Sequence, residues 1–391
     1  MADKAYITPN VLRWARESAR MSEEVAASKV SVPIEKLKEW EEGTNQPTIR
    51  QAETLAKAYR RPFALFFLPE IPRDFQPLQD YRRKSAKTLG TASIFIMREI
   101  QQKQAWIRDV YEDNRESKLP FVGKYSLRDN PKKVAEDILT TLDIHPLDYS
   151  TENPIKEWID KAESKGIFIS RTSFIHSRLL LDSEEIQGFT IADPYAPFVF
   201  VNSEDWDAPQ LFTLVHELAH IWIAESGISN EIGPDIKFKE TTHPVEIFCN
   251  EVAANALMPE TIMTNLKMST FDSIREVYKI SKALGISSFA LIYRAFNMGR
   301  ITLDKYRTLK ASADKEFEEY LIREEEKKIK NKDKKKGGPS PYLLRLNKNS
   351  RLFTQIVLDA FRGGFIEPTQ ASSLLNTQVN NFPKLEAQLY R

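Results

Sequence analysis

Leu211-Phe212-Thr213-Leu214-Val215-His216-Glu217-Leu218-Ala219-His220 places two histidines four positions apart inside an apolar run. On an α-helix such positions share one face, one turn apart. Two imidazoles so placed can both reach one Zn²⁺ at about 2.0–2.1 Å. Glu217 is turned by about 100° from His216, which keeps it beside the ion without making it a ligand. It can therefore take a proton from an activated water, which is the logic of an H-E-x-x-H segment. Only five histidines occur in the chain, and two of them form this pair. Pro209 opens the helix, predicted over 211–224, and a β-like run, Phe198-Val199-Phe200-Val201, precedes it.

A catalytic zinc site needs a third protein ligand and one open position. A loop of about twenty residues containing Gly227, Gly233 and Pro234 is expected to lead to a second helix over 244–257. That helix offers Glu246 with Asn250 four positions on, and Glu251 with Asn255 at the same spacing. His243, just before Pro244, is a third option. Asn250 or Asn255 would hold a ligating histidine through its second ring nitrogen. Cys249 reads as a buried small hydrophobe rather than a ligand. His176 and Tyr195 read as loop or packing residues. The run 198–202 is either an edge strand, onto which a peptide could add backbone to backbone, or a core strand.

Further out, 8–60 reads as four or five short helices. Thr8-Pro9 and Ser22-Glu23-Glu24 are helix starts, Gly43 a stop, and Pro47-Thr48 another start. Residues 61–90 read as a hydrophobic clasp, Phe63-Ala64-Leu65-Phe66-Phe67-Leu68, then an extended linker. A helix over 92–114 follows, then helices around 131–142 and 154–165. Short strands are expected at 167–170, 188–191 and 198–201. Residues 270–300 read as helical. The segment 314–336 is predicted to be a charged solvated helix, and 337–391 a small helical appendage.

The metal helix and the stretch Glu246-Ile247-Phe248-Cys249-Asn250-Glu251-Val252-Ala253-Ala254-Asn255-Ala256-Leu257-Met258-Pro259 together resemble the ImmA/IrrE metallopeptidases. In that family the later helix, E-x-x-A-N-x-F-A-A-x-L-L-M-P, supplies the third ligand. The resemblance implies Glu246 as that ligand and Asn250 as its partner. Cys249, Val252 and Ala256 depart from the pattern, apolar for apolar. Trp40-Glu41-Glu42-Gly43, Pro47-Thr48 and Leu55-Ala56 resemble an XRE-type helix-turn-helix. Such fusions cleave a partner repressor, so the resemblance implies a protein substrate in a stress-response, phage or mobile-element switch.

The expected fold is therefore mainly α with a small β-sheet (α+β): a helix-turn-helix domain over 1–70, a linker and connecting helix over 71–119, a zincin-like domain over 120–270, a helical region with the charged helix over 271–336 and the appendage over 337–391. Zn²⁺ is the expected cofactor at His216, His220 and Glu246, with Mn²⁺ or Fe²⁺ also compatible with these ligands. Glu217 is the expected catalytic base.

A DNA-reading helix would be 33–42. It carries Glu35, Glu39, Glu41 and Glu42 against Lys36 and Lys38, a poor surface for phosphates. Lys36 and Lys38 remain the candidates for bases, and Arg50 and Gln51 for backbone. The competing role for 8–60 is a protein-interaction module for a substrate, a repressor or a second copy of the chain. Lys-rich 327–336 reads as a solvated linker. The 391 residues carry a net charge of +1, so no global pull toward nucleic acid or membrane exists. No run reaches the roughly 18 apolar residues of a membrane span. One cysteine and no apolar signal-peptide core predict a cytoplasmic protein.

Overall fold

The computed structural model describes residues 3–73, 78–82, 86–176, 179–229, 243–331 and 339–390. They fall into two compact units. Unit 1 takes Met1–Pro77, Lys87–Gln102 and Phe174–Leu181, and unit 2 takes Leu78–Ala86, Lys103–Ser173 and Asp182–Arg391. The chain is mainly helical with a small mixed sheet. No helix among the described residues is long and apolar enough to cross a membrane.

Unit 1 begins with α1 (Pro9–Ser18), α2 (Glu23–Lys29), α3 (Ile34–Glu42) and α4 (Ile49–Tyr59). Their ends follow from local chemistry. Ser22 accepts from the Val25 amide at the start of α2. Gly43, at φ +79°, closes α3 in the left-handed region that a side chain would strain. Thr48 and Gln51 form a reciprocal capping box at the start of α4. Leu12, Trp40, Leu55 and Tyr59 fill the core, and so does Phe66 of the 3-10 turn Phe63–Phe67, whose carbonyl accepts from the Thr8 amide at 2.8 Å. Across this core Arg16 grips Glu41 with two bonds of 2.7 and 2.8 Å. Glu41 is thus an interior residue and not one of the surface acids the sequence counts on α3. The unit also holds α5 (Thr91–Asp113) as far as Gln102 and the hairpin β3 (Phe174–His176) with β4 (Leu179–Leu180).

Unit 2 is organised by one five-stranded sheet, β1 (Gln79–Asp80), β7 (Gly227–Ser229), β5 (Gly188–Ile191), β6 (Phe198–Asn202) and β2 (Phe168–Thr172), in that spatial order. The two outer pairs are parallel and the two inner pairs antiparallel. β6 is therefore an interior strand and offers no edge to a peptide. Gly227, expected in a loop, instead starts a strand. The rest of that expected loop, with Gly233 and Pro234, lies outside the described residues, as do the side chains of 327–336.

Side chains alternate across a sheet, and the alternation decides which face takes a helix. Val199, Val201, Ile167 and Ile169 join the large core with α6 (Pro131–Leu142), α7 (Pro154–Ser164), α8 (Asp207–Trp222) and α9 (Pro244–Leu257). Phe168 and Phe198 stack on the opposite face with Phe353 edge-on to both, and Phe189 packs on Phe200 there. α8 is buried from Gln210 to Trp222, all round its circumference, as a helix wedged between a sheet and other helices must be.

The remaining helices are α10 (Glu260–Asn265), α11 (Ile274–Leu284), α12 (Ser288–Asn297), α13 (Leu303–Asn331), α14 (Pro341–Asn349), α15 (Arg351–Arg362), α16 (Pro368–Leu375) and α17 (Phe382–Leu389). The last four close onto β2 and α7. Ser170 donates to the Lys348 carbonyl at 2.6 Å, and the buried Glu163 carboxylate accepts from Ser350 Oγ and the Arg351 amide at 2.6 and 3.0 Å.

Candidate metal centre

α8 and α9 bring the donor groups of three residues together in unit 2. The Nε2 atoms of His216 and His220 stand 3.1 Å apart. Glu246 sets Oε2 3.4 Å from His216 Nε2 and Oε1 3.3 Å from His220 Nε2. Four ligands bound tetrahedrally at about 2.0–2.1 Å have neighbours about 3.3–3.4 Å apart. The three residues thus stand at the separations of neighbouring ligands in such a site, each histidine facing a different oxygen of Glu246. All three groups are acceptors in their metal-binding forms, so packing them together demands a positive charge. Both imidazoles are fully buried and Glu246 is 2 % exposed.

The local electrostatics carry the same message. Burial alone would push the Glu246 carboxyl up, yet the two imidazoles more than offset it and hold it at about 2. Burial would lower His220, but the surrounding Cys249, Glu246 and Glu217 raise it well above the ordinary histidine value. Oε2 of Glu246 has no hydrogen-bond partner among the described residues. The donor set, two nitrogens and one carboxylate in a closed cluster, fits a divalent metal such as Zn²⁺.

Glu217 points from the same helix toward β5. Thr190 Oγ1 donates to Glu217 Oε2 at 2.7 Å and lies 3.0 Å from the Glu217 carbonyl oxygen. Oε1 has no partner. A Cβ added to Gly188 would stand 2.7 Å from that Oε1 and 3.0 Å from Glu217 Cγ, so only a bare backbone leaves room for this carboxylate. Burial raises the Glu217 carboxyl, partly opposed by His220, His216 and the Thr190 hydroxyl.

Of the candidate third ligands, Glu246 meets the histidines and the others do not. His243 caps α9, its Nδ1 accepting from the Val245 amide at 3.3 Å. Glu251 lies on another face of α9, beside Asn255, which donates to the Glu251 carbonyl and accepts from Arg294. Cys249 is fully buried and stands outside the three-residue cluster. His176 is an exposed residue of unit 1, and Tyr195 is half-buried with Lys118 over its ring.

Asn250 differs from its expected role. Its amide donates to the Glu246 carbonyl at 2.8 Å, while the Nδ1 atoms of His216 and His220 have no hydrogen-bond partner among the described residues. Asn250 therefore holds the backbone of the third ligand rather than a histidine ring, because both residues stand on one helix four positions apart. A residue that hydrogen-bonds the cluster itself is Ser229, unmarked in the sequence. Its hydroxyl donates to Glu246 Oε1 at 3.2 Å and lies 3.5 Å from His220 Nε2. Ser229→Ala is expected to weaken metal affinity about 10- to 100-fold, the usual cost of losing a ligand's orienting partner. Competition with a chromogenic zinc chelator reads this directly.

Three of the four DNA candidates are engaged within unit 1. Lys36 pairs with Glu39 at 2.8 Å and Lys38 with Glu23 at 3.3 Å. Arg50 is exposed, and Gln51 is committed to the capping box. The Thr48-x-x-Gln51 spacing is itself a capping-box signal that precedes any nucleic-acid reading.

Residues 162–296 match the family model of the IrrE N-terminal-like domain, Peptidase_M78. This stretch contains the whole triangle and Glu217, so this part of the chain is similar to a metal-dependent peptidase domain. No curated protein matches the chain.

Proposed function

We propose that the chain is a zinc-dependent endopeptidase that cuts a protein substrate, with His216, His220 and Glu246 holding the metal and Glu217 as the base. The observation that carries this is the cluster of three buried acceptor residues, with a Glu217 carboxylate oxygen beside it that has no hydrogen-bond partner among the described residues. Zinc supplies Lewis acidity, polarising the scissile carbonyl and lowering the pKa of water toward about 7. Glu217 Oε1 takes the proton as the water oxygen bonds to the carbonyl carbon. The same carboxyl then gives that proton to the amine nitrogen as the C–N bond breaks. Thr190 holds the other oxygen, which fixes the orientation of the carboxylate through both transfers. Burial raises the proton affinity of Glu217 and suits it to a group that must hold a proton between two steps.

A partner repressor is the substrate class the family resemblance supports. For unit 1 we propose contact with that protein rather than with DNA. Its third helix presents lysines already paired to carboxylates, and neutralised lysines release few counterions from a duplex.

The test is metal content. Full-length wild type is expected to hold about one zinc per chain, and His216→Ala and Glu246→Ala to hold little. Wild type that takes up no zinc even after reloading would remove the peptidase reading.

A further inference from the structure

The sheet edge nearest the metal centre is already filled by the chain itself. β1 pairs in parallel with β7, Gln79 opposite Gly227 and Asp80 opposite Ile228, and the Tyr81 amide donates to the Ile228 carbonyl at 3.1 Å. Tyr81 then lays its ring on His220, with centroids 5.7 Å apart and planes 18° apart, and its hydroxyl donates to Glu225 Oε2 at 2.7 Å. The ring needs Gly227, since a Cβ there would stand 2.2 Å from Tyr81 Cε2. Arg82 donates to the Glu185 carbonyl at 3.0 Å. All these residues belong to unit 2.

Two facts give this segment a meaning beyond packing. First, no ligand of the triangle and no atom of Glu217 is open to a peptide, because none of the four residues exceeds 2 % exposure. A peptidase must admit a carbonyl, so the structure is that of a covered site. Second, the strand beside His220 is only two residues long with both side chains exposed, and it is anchored by the two residues that follow it, Tyr81 on His220 and Arg82 on the Glu185 carbonyl. So short a ladder adds few backbone bonds, and a segment held by side-chain anchors along a sheet edge has the geometry of recognition by β-strand addition.

We propose that the outer edge of β7 is the strip that receives a substrate's extended peptide, and that Leu78–Arg82 is its resident occupant, displaced when substrate binds. The residue seated over His220 is then an aromatic or large apolar one, in place of Tyr81. This inference rests on the peptidase reading of the same centre.

The experiment uses full-length, zinc-loaded wild type, Tyr81→Ala and Glu225→Ala. It follows deuterium uptake over 78–82 and 227–229 together with cleavage of a mixture of unstructured peptides. Tyr81→Ala is expected to raise uptake in both segments and to cleave tenfold faster or more. Glu225→Ala removes only the acceptor of the phenol and should move both readouts the same way by less, which keeps the test usable if Tyr81→Ala folds poorly. The peptide Leu78-Gln79-Asp80-Tyr81-Arg82, added in trans, should slow Tyr81→Ala again. Unchanged exchange in both variants overturns the proposal, and so does faster exchange with cleavage no faster than an active wild type. Faster exchange in zinc-loaded variants when no chain cleaves any peptide leaves the occupant in place and removes the peptidase reading instead.

Discussion

Glu217→Gln is expected to keep its zinc and to lose hydrolysis by about 100- to 10,000-fold, the usual contribution of a positioned general base. The two halves of this expectation have different causes. Zinc stays because Glu217 lies outside the triangle, bound instead to Thr190. A glutamine oxygen can still accept from the Thr190 hydroxyl, so the side chain keeps its place beside Gly188. An amide cannot take up the proton of the attacking water, so the chemical step fails while substrate still binds. Initial rates on the cleaved peptide, with zinc measured in the same samples, separate the two effects. Full activity at full zinc would move the base to another residue. Loss of zinc together with activity would mean that Glu217 has a ligand's role.

Glu41→Ala is expected to destabilise unit 1 by about 3–5 kcal/mol, the cost of breaking a buried ion pair from one side. Arg16 makes both of its short bonds to this carboxylate, and Glu41 is 3 % exposed. Removing it leaves the buried guanidinium, among the described residues, only the Met21 carbonyl at 3.2 Å and the Glu17 and Glu23 carboxylates at 3.8 Å. Replacing the pair together, as Arg16→Met/Glu41→Leu, should recover most of the loss, because no uncompensated charge remains. Urea unfolding followed by hydrogen exchange in α1 and α3 measures it unit by unit. Zinc content should not change, since every proposed ligand lies in unit 2. A loss below about 1 kcal/mol in Glu41→Ala would mean that water reaches Arg16 and that the pair behaves as a surface bridge.

Much of this architecture is written in local pattern. The helix α8 follows from a continuous apolar run, and the pairing of His216 with His220 from the 3.6-residue turn. β5 and β6 are short β-branched and aromatic runs, legible at their own boundaries. The capping box at Thr48 and the stop at Gly43 are also local, since each needs only a few consecutive residues. β7 and β1 are different. With three and two residues they are too short to show a period, and they exist only because β5 offers an edge. Ser229 and Tyr81 reach the metal centre through those two strands, so neither stood out in the sequence. Gly188 did leave a trace, since a glycine opening a strand often marks a close approach.

The choice of third ligand shows where sequence stops. Glu246 and Glu251 stand five positions apart on α9, about 140° round the helix axis, and each has an asparagine four positions on. Spacing treats them alike, and the family resemblance alone favours Glu246. Which carboxylate meets the histidines depends on how α9 is rotated against α8, and that is set by Val245, Cys249, Val252 and Ala256 entering the common core. The sequence by itself determined the helices, the strands of the sheet's middle and the pair of imidazoles, because helix and strand periods act between near neighbours. The tertiary structure alone decided the face of α9, the edge filled by Leu78–Arg82 and the buried place of Glu41, because each depends on segments far apart in the chain competing to leave water.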